Sequence, residues 1–230
     1  MIKAVIFDFD GTLINTNQLV KDGLNNLAQI HLGRPLTHME LCQLNGKHLN
    51  DQIGYITKND IEKKVIHFKK WYAENHNKLA KTFKGIPELL EILKYEKIQL
   101  GIVSNNSTLP VQQGLNLLNF NQYFQHIITS DDVIKPKPDP EGINSMLKKM
   151  NLHSKEVLYV GDSPSDILAA KNANVESCLV DWTVLSETEK KSISADYRIN
   201  HPLEIICLIK KFNVHRITHE SQVVLSIRWA

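Results

Sequence analysis

Residues 5–12 read VIFDFDGT, and this stretch decides the fold that we expect for the 230-residue chain. Its first three residues are β-branched or aromatic, which favours a buried strand of a parallel sheet. Two acids, Asp8 and Asp10, follow the strand, and Gly11 and Thr12 then form a turn. Ligands of open α/β sheets bind beyond the carboxyl ends of such strands. Two neighbouring carboxylates repel each other unless a cation lies between them, so we expect a metal ion here. For this segment alone, a turn that caps the next helix is the alternative.

Short apolar segments alternate with helical segments from about residue 85 onward. The predicted strands, with the first one included, cover residues 5–7, 99–103, 126–129, 157–160, 177–180 and 197–199. The predicted helices cover residues 87–97, 109–119, 140–150, 164–173 and 202–212. This alternation is typical of a parallel sheet with helices on both faces. We therefore expect an α/β protein with a Rossmann-like parallel sheet.

Residues 15–84 interrupt this alternation. Apolar side chains recur at helical spacing within residues 19–30 and again within residues 61–72, and no convincing strand is present. The sequence therefore predicts two domains. Residues 1–14 and 85–230 form the α/β core, and residues 15–84 form an inserted, all-helical domain.

The composition is that of an ordinary globular protein, with 42% hydrophobic and 23% charged residues. A net charge of +2 and scattered basic residues argue against a nucleic-acid surface or a membrane patch. Cys42, Cys178 and Cys207 form no CxxC spacing, so neither a disulfide framework nor a zinc site is indicated, and we expect a cytoplasmic protein. No apolar stretch approaches the roughly 20 residues of a membrane span, and we expect no signal peptide before the first strand.

Two further strand ends carry polar residues. The strand predicted at 99–103 is followed by Ser104 and Asn105, which lie where a helix N-terminus could bind an anion. After the next strand, residues 134–140 read IKPKPDP, and the prolines restrict the backbone around Lys135. Taken alone, Ser104 would be a helix cap and Lys135 a solvated loop charge.

The strand predicted at 157–160 is followed by residues 161–166, which read GDSPSD. Gly161 allows a tight turn, and Asp162 and Asp166 enter the next helix four positions apart. Taken alone, these acids could be an N-cap and a first-turn residue that the helix dipole favours. Together with the other strand ends they predict one shared site, in which Asp166 supports a bound metal.

These side chains suit phosphoryl transfer. Asp8, Asp162 and the main-chain carbonyl of Asp10 are oxygen ligands of the kind that Mg²⁺ prefers. Lys135 and Ser104 could neutralise the oxygens of a phosphoryl group. Asp8 is the predicted nucleophile, which would form an aspartyl-phosphate, and Asp10 is the predicted general acid and base. The predicted phosphate-binding residues are Gly11, Thr12, Ser104, Asn105 and Lys135.

The four segments resemble the four motifs of the haloacid dehalogenase superfamily, in the same order and each after a strand. Residues 8–12 are similar to its D-x-D-G-T motif, Ser104 to its serine or threonine motif, and residues 161–166 to its G-D-x-x-x-D motif. In register with the K-P-x-P motif the lysine is Lys135, although spacing alone leaves Lys137 open. The match extends over the core to about residue 212.

The resemblance also implies a reaction type and a cap. Relatives with an aspartate at the position of Asp10 are typically phosphatases or phosphomutases, so phosphoryl transfer is implied over carbon–halogen cleavage. The insertion at 15–84 is similar to the family's helical cap, which would exclude water when it closes. Residues 44–49, LNGKHL, look like the cap segment that projects toward the substrate, and Lys47 and His48 are the predicted leaving-group contacts. A solvent-exposed loop residue is the alternative for His48.

Within the superfamily, the small helical cap and residues 179–183, LVDWT, most resemble phosphoglycolate phosphatases and related pyrophosphatases. The expected function is that of a magnesium-dependent phosphatase that hydrolyses a small phosphomonoester, similar to phosphoglycolate, through an aspartyl-phosphate. Inorganic pyrophosphatase and sugar phosphomutase are alternatives within the superfamily.

Two alternatives come from other classes: a phospho-aspartate receiver or binding module, and a degenerate relative that serves only as a protein partner. The insertion at 15–84 and the acid at Asp10 argue against a receiver. The apolar segment 222–229 within the tail at 213–230 could form an edge strand or a subunit contact, and the oligomeric state is left open.

Overall fold

A computed structural model describes residues 1–213, so the apolar segment predicted at 222–229 lies outside the described residues. The strands of the described chain are β1 (Ala4–Phe7), β2 (Ile14–Asn15), β3 (Lys81–Thr82), β4 (Gln99–Val103), β5 (His126–Ile128), β6 (Val157–Gly161), β7 (Glu176–Val180) and β8 (Tyr197–Ile199). Its helices are α1 (Asn17–Leu32), α2 (His38–Leu44), α3 (Leu49–Ile56), α4 (Ile61–Leu79), α5 (Ile86–Tyr95), α6 (Thr108–Leu118), α7 (Glu141–Met150), α8 (Pro164–Asn172), α9 (Glu187–Ser192) and α10 (204–213).

Six strands form one parallel sheet in the order β5-β4-β1-β6-β7-β8. β1 lies at its centre, where Phe7 pairs with Ile102 of β4 and with Val160 of β6. The chain builds one side of the sheet with β4 and β5 and then crosses to the other side at β6. This crossing opens a crevice beside the carboxyl end of β1, which is where ligands bind in such sheets. The predicted α/β parallel-sheet fold is therefore confirmed.

Alternating side chains of β1 enter two separate apolar layers. Val5 and Phe7 pack with residues of α5, α6 and α10 on one face, whereas Ala4 and Ile6 pack with residues of α7 and α8 on the other. All four side chains are fully buried. Because both faces of the strand are covered, its sequence is apolar throughout rather than alternating.

The cap consists of α1 to α4, whose apolar faces form a third cluster that includes Leu19, Leu24, Ile53 and Phe68. Two connections join the cap to the core and pair as the antiparallel strands β2 and β3, with Ile14 opposite Thr82. The prediction that residues 15–84 contain no strand was therefore wrong at these connections. Strands of two residues are too short to show an alternating pattern.

The predicted domain boundaries fall near these strands. The boundary between residues 14 and 15 lies inside β2, and that between residues 84 and 85 lies between β3 and α5. Helix α9 was not predicted because its sequence, ETEKKS, has no apolar residues at helical spacing. Its first turn is instead stabilised by a capping box between Ser186 and Glu189. Within residues 1–213, none of the helices combines the length and the apolar character that a membrane crossing requires.

Candidate active site

A buried lysine joins the carboxyl ends of the central strands. Asp8 follows β1 directly, and its Oδ1 accepts a hydrogen bond from Lys137 Nζ at 2.6 Å. The same Nζ donates to Asp166 Oδ1 at 2.6 Å and to the main-chain carbonyl of Val103 at 2.9 Å. The hydroxyl of Tyr159 lies 3.0 Å from it. This single ammonium group therefore contacts groups that follow or belong to β1, β4 and β6.

Lys137, and not Lys135, is the lysine of this site, so the prediction of Lys135 is corrected. Lys135 is exposed, and its main-chain N–H donates to Glu141 on the outer side of the loop. The backbone of Lys137 is held at the site because its N–H donates to Asn105 Oδ1 and its carbonyl accepts from Asn105 Nδ2, at 2.8 and 2.9 Å. Residues 137–140, KPDP, also fit the K-P-x-P pattern, so the sequence did contain a feature that could have identified Lys137.

Asp166 serves to position its neighbours. Its Oδ1 faces Lys137, and its Oδ2 accepts hydrogen bonds from the N–H groups of Asp162 and Ser163 at 3.2 and 3.0 Å and from the Ser163 hydroxyl at 2.6 Å. Both oxygens of Asp166 are thus engaged by the protein. Its predicted role in supporting a bound metal stays a prediction.

The donor set beside Asp166 fits a hard divalent cation. Carboxylate oxygens of Asp8, Asp162 and Asp166 lie within 4.8 Å of one another. Among residues 1–213, the hydrogen bonds of Asp8 use its Oδ1, and those of Asp162 use its Oδ2 with Asn45 and Thr183 as donors. Each of these two acids therefore keeps one oxygen for a cation, and oxygen ligands are those that Mg²⁺ prefers.

Burial of these acids changes their titration. Burial, together with the negative charge of the nearby Asp166, raises the pKa of Asp162 to about 7. Burial also raises the pKa of Asp8 well above its usual range, although Lys137 opposes the rise. Lys137 itself stays charged, because Asp166 and Asp8 raise its pKa by more than burial lowers it. Three buried acids against one lysine leave an excess of negative charge that a cation would neutralise.

Asp10 faces the cap rather than the group of three acids. Its Oδ1 accepts hydrogen bonds from the hydroxyls of Thr16 and Tyr72, at 2.7 and 3.1 Å, and its Oδ2 accepts one from Asn106 Nδ2 at 3.0 Å. Tyr72 belongs to α4 of the cap and was not identified from the sequence, because a tyrosine at helical spacing reads as an ordinary apolar residue. Ligation of a metal by the Asp10 carbonyl stays a prediction.

The predicted phosphate-binding residues take different positions. Ser104 is buried and its hydroxyl accepts a hydrogen bond from the N–H of Asn106, so it forms the turn that leads into α6. Gly11 has a φ of +85°, and a Cβ at this position would lie 2.5 Å from Asp162 Oδ2. Only glycine avoids this collision. The Thr12 hydroxyl is buried and has no hydrogen-bond partner among the described residues.

The cap segment around Gly46 is docked on the core. The carbonyl of Gly46 accepts hydrogen bonds from Asn105 Nδ2 and Ser165 Oγ, both at 2.9 Å. Asn45 Nδ2 donates to Asp162 Oδ2 at 3.0 Å. Gly46 has a φ of +69°, which other residues rarely adopt, and a Cβ at this position would lie 2.2 Å from Ser163 Oγ. Both the backbone conformation and the lack of space therefore require a glycine. The structure therefore represents the closed arrangement of cap and core.

A cavity of about 430 Å³ lies between cap and core. The core contributes Asp8, Asp10, Ser104, Asn105 and Asn106 to its lining. Lys47 also lines the cavity, whereas His48 does not and instead caps α3 through a hydrogen bond from the N–H of Asn50. The structure thus places Lys47, but not His48, in the lining of the cavity, and a contact of Lys47 with a leaving group stays a prediction.

Residues 5–180 match the family model described as haloacid dehalogenase-like hydrolase. Since the match covers well over half of the chain, the protein belongs to the haloacid dehalogenase-like hydrolase family. As a member of this hydrolase family the chain is an enzyme, and its four motif segments lie at the same end of the sheet.

Relatives of known name match along almost the whole chain. "Pyrophosphatase PpaX" of Oceanobacillus iheyensis is 31% identical over 208 residues, which are 90% of this chain and 97% of the relative. A relative from Clostridium perfringens, whose name also includes the words "pyrophosphatase PpaX", is 33% identical over 213 residues, which are 93% of this chain and 100% of the relative.

Solved structures show the same fold. A structure from Haemophilus somnus 129pt, titled "a predicted phosphoglycolate phosphatase", superposes with a TM-score of 0.80 at 21% identity. The superposition covers 90% of this chain and 98% of that chain.

Replacing Lys137 by methionine should destabilise the protein strongly, because Asp8 and Asp166 would stay buried without a counter-charge. We expect the free energy of unfolding to fall by about 3 to 5 kcal/mol at pH 8 without added metal. Urea unfolding followed by circular dichroism measures this loss. The matched variant Lys135→Met should change stability by no more than about 0.5 kcal/mol, since that side chain is exposed. Equal losses in the two variants would contradict the placement of Lys137.

Proposed function

We propose that this protein is a magnesium-dependent phosphohydrolase that forms an aspartyl-phosphate on Asp8 and releases phosphate from a small anionic compound. The observation that carries the proposal is the position of Asp8, which lines the closed cavity while one of its oxygens is held 2.6 Å from a buried ammonium group. A second acid, Asp10, lines the same cavity two residues away.

One carboxylate oxygen of Asp8 is the nucleophile of the proposed reaction: Oδ1, which Lys137 contacts, while Oδ2 is left for the cation. Its attack forms a bond to phosphorus as the bond to the leaving oxygen breaks, and Asp10 donates a proton to that oxygen. In the second step the ionised Asp10 takes a proton from water, and the resulting hydroxide displaces Asp8 from phosphorus. Hydrogen bonds from Thr16, Tyr72 and Asn106 hold Asp10 in place for both steps.

The carboxylates of Asp8 and Asp162 would hold the magnesium ion, with the Asp10 carbonyl as the predicted third protein ligand. When bound, the ion supplies positive charge for the oxygens of the transferred phosphoryl group. Lys137 contributes a fixed charge to the same end of the cavity, and the docked cap excludes water from it.

Three lysines favour a leaving group that is itself anionic. Lys21, Lys47 and Lys69 come from α1, from the segment between α2 and α3, and from α4, and all three line the cavity. None of them forms an ion pair within residues 1–213. The leading substrate is inorganic pyrophosphate, which agrees with the names of the relatives that match along most of their length. Phosphoglycolate is the second candidate, because its carboxylate would meet the same lysines.

Two other reactions are less compatible with these observations. A sugar phosphomutase returns the phosphoryl group to a second hydroxyl of a sugar, whereas the relatives that match along most of their length carry pyrophosphatase names. A receiver module has no use for the cap that supplies Tyr72 and Gly46 to the site. Three free cysteines support a reducing cytoplasm as the location of the enzyme.

Asp8→Asn should abolish hydrolysis of pyrophosphate, phosphoglycolate and p-nitrophenyl phosphate in the presence of Mg²⁺, because the amide cannot form the phospho-enzyme. Phosphate release, measured colorimetrically, should fall by a factor of at least about 10³. Asp51→Asn, which changes an exposed carboxylate of the cap, should leave the rate unchanged.

Undiminished hydrolysis by Asp8→Asn would reject the proposed nucleophile. A wild-type yield that stops near one phosphate per chain would instead favour a receiver, and appearance of an isomerised sugar phosphate without free phosphate would favour a mutase.

Magnesium affinity should rise with pH through about pH 7. Burial raises the pKa of Asp162 to about 7 and also raises that of Asp8, so protons compete with the cation for both acids. For each acid, one unit of pH below its pKa should weaken binding by up to about tenfold. Titration calorimetry between pH 5.5 and 8.5 measures this dependence, and Asp162→Asn should bind magnesium weakly and with a shallower slope, since Asp8 alone then titrates. A flat profile in the wild type would contradict the role of Asp162.

The three cavity lysines should determine the KM for anionic substrates. Because these side chains are partly solvated, each of Lys21→Ala, Lys47→Ala and Lys69→Ala should raise the KM for pyrophosphate roughly 2- to 5-fold, and the triple variant roughly 10- to 50-fold. The KM for p-nitrophenyl phosphate, whose leaving group carries no second anion, should change little. Lys70→Ala is the matched control, since Lys70 is exposed on α4 but does not line the cavity. Equal effects on both substrates would reject an anionic leaving-group site.

A further inference from the structure

A second group of potential metal ligands lies where the cap meets the core, apart from the group of Asp8, Asp162 and Asp166. His38 and Cys42 are one turn apart on α2 of the cap, and Glu189 is on α9 of the core. One imidazole nitrogen, the sulfur and one carboxylate oxygen all lie within 4.8 Å of one another. His38 Nε2 is 3.5 Å from Cys42 Sγ.

Neighbouring groups hold Glu189 in place, while His38 stays accessible to a cation from solvent. Glu189 is fixed because one of its oxygens accepts hydrogen bonds from the N–H and the hydroxyl of Ser186, at 2.8 and 2.6 Å, in the cap of α9. Cys42 is buried, and its thiol lies 3.7 Å from the main-chain carbonyl of Val184. His38 is exposed, so that a cation can reach the group from solvent.

The chemistry of the donors differs from that of the magnesium site. A thiolate, an imidazole and a carboxylate are ligands of Zn²⁺ and related transition metals, whereas Mg²⁺ prefers oxygen alone. In a tetrahedral zinc site the ligand atoms are roughly 3.3 to 3.7 Å apart, given zinc–ligand bonds of about 2.0 to 2.3 Å. The ligand atoms of His38, Cys42 and Glu189 lie within 4.8 Å of one another, so side-chain rotations that move them by about 1 Å would bring them to this separation. The three ligands would leave the fourth position to water.

We propose that His38, Cys42 and Glu189 form a transition-metal site that binds Zn²⁺ and ties the cap to the core. Binding converts the Cys42 thiol to a zinc-bound thiolate and releases its proton to solvent, so no oxidant or reductant takes part. His38 and Cys42 also line the substrate cavity. Zinc at this position therefore holds the closed arrangement and slows the exchange of substrate and product. The proposal stands on ligand geometry and does not depend on which phosphate compound is hydrolysed.

Cobalt titration tests the site directly, because a cobalt–thiolate bond gives a charge-transfer absorption in the near ultraviolet. The full-length protein is titrated with Co²⁺ in excess Mg²⁺, which keeps the acids at Asp8 and Asp162 occupied. We expect about one equivalent of Co²⁺ with a thiolate band that added Zn²⁺ abolishes. Cys42→Ser should remove the band, and His38→Ala, on an exposed residue that folding does not require, should weaken binding at least tenfold.

The control is Cys207→Ser, which removes the exposed thiol. It should leave the band unchanged, and a band that disappears with Cys207 instead would overturn the proposal. Absence of any thiolate band in the wild type would also overturn it. Micromolar Zn²⁺ should raise the melting temperature of the wild type by several degrees but not that of Cys42→Ser, and equal shifts in the two proteins would assign zinc to another site.

Discussion

The ion pairs of Lys137 with Asp8 and Asp166 are the constraint on which this structure depends. Charged groups lose their hydration when they are buried, and such a loss is tolerated only when partners of opposite charge replace water. The parallel sheet brings Asp8, Asp162 and Asp166 to one edge, and a single ammonium group compensates only part of their charge. The negative charge that Lys137 leaves uncompensated would attract a cation. The burial that Lys137 compensates in part would therefore also favour a bound cation.

The cap completes the site rather than merely covering it. Tyr72 donates a hydrogen bond to Asp10, and Asn45 donates one to Asp162, so both acids have partners from the inserted domain. Gly46 meets the core through two hydrogen bonds at a place where any side chain would collide with Ser163. Opening of the cap would break these contacts together, which couples access of the substrate to the environment of the reacting groups.

The division between core and cap also separates the reaction type from the choice of substrate. In the proposed reaction the core groups act on the phosphoryl group, which all candidate substrates share. The cavity lysines and the apolar side chains beside them come from the cap, where a few contacts decide which leaving group is accepted. Similarity of the core to that of relatives therefore indicates little about the substrate. The cavity lysines of the cap indicate more, because they would contact the leaving group.

Local sequence was sufficient for the six strands of the parallel sheet and for placing Asp8, Asp10 and Asp162 directly after two of them, because apolar runs and the residues that end them are properties of short segments. It did not distinguish Lys135 from Lys137, since both begin a K-P-x-P pattern. That choice was made by Asn105, more than 30 positions away, which binds the backbone of Lys137 and turns its side chain inward. The short strands β2 and β3 and the contact of Tyr72 with Asp10 likewise depend on segments far apart in the chain. Such pairings are decided only by the packed tertiary structure, because the energy of a buried charge or hydrogen bond depends on every neighbour that replaces water.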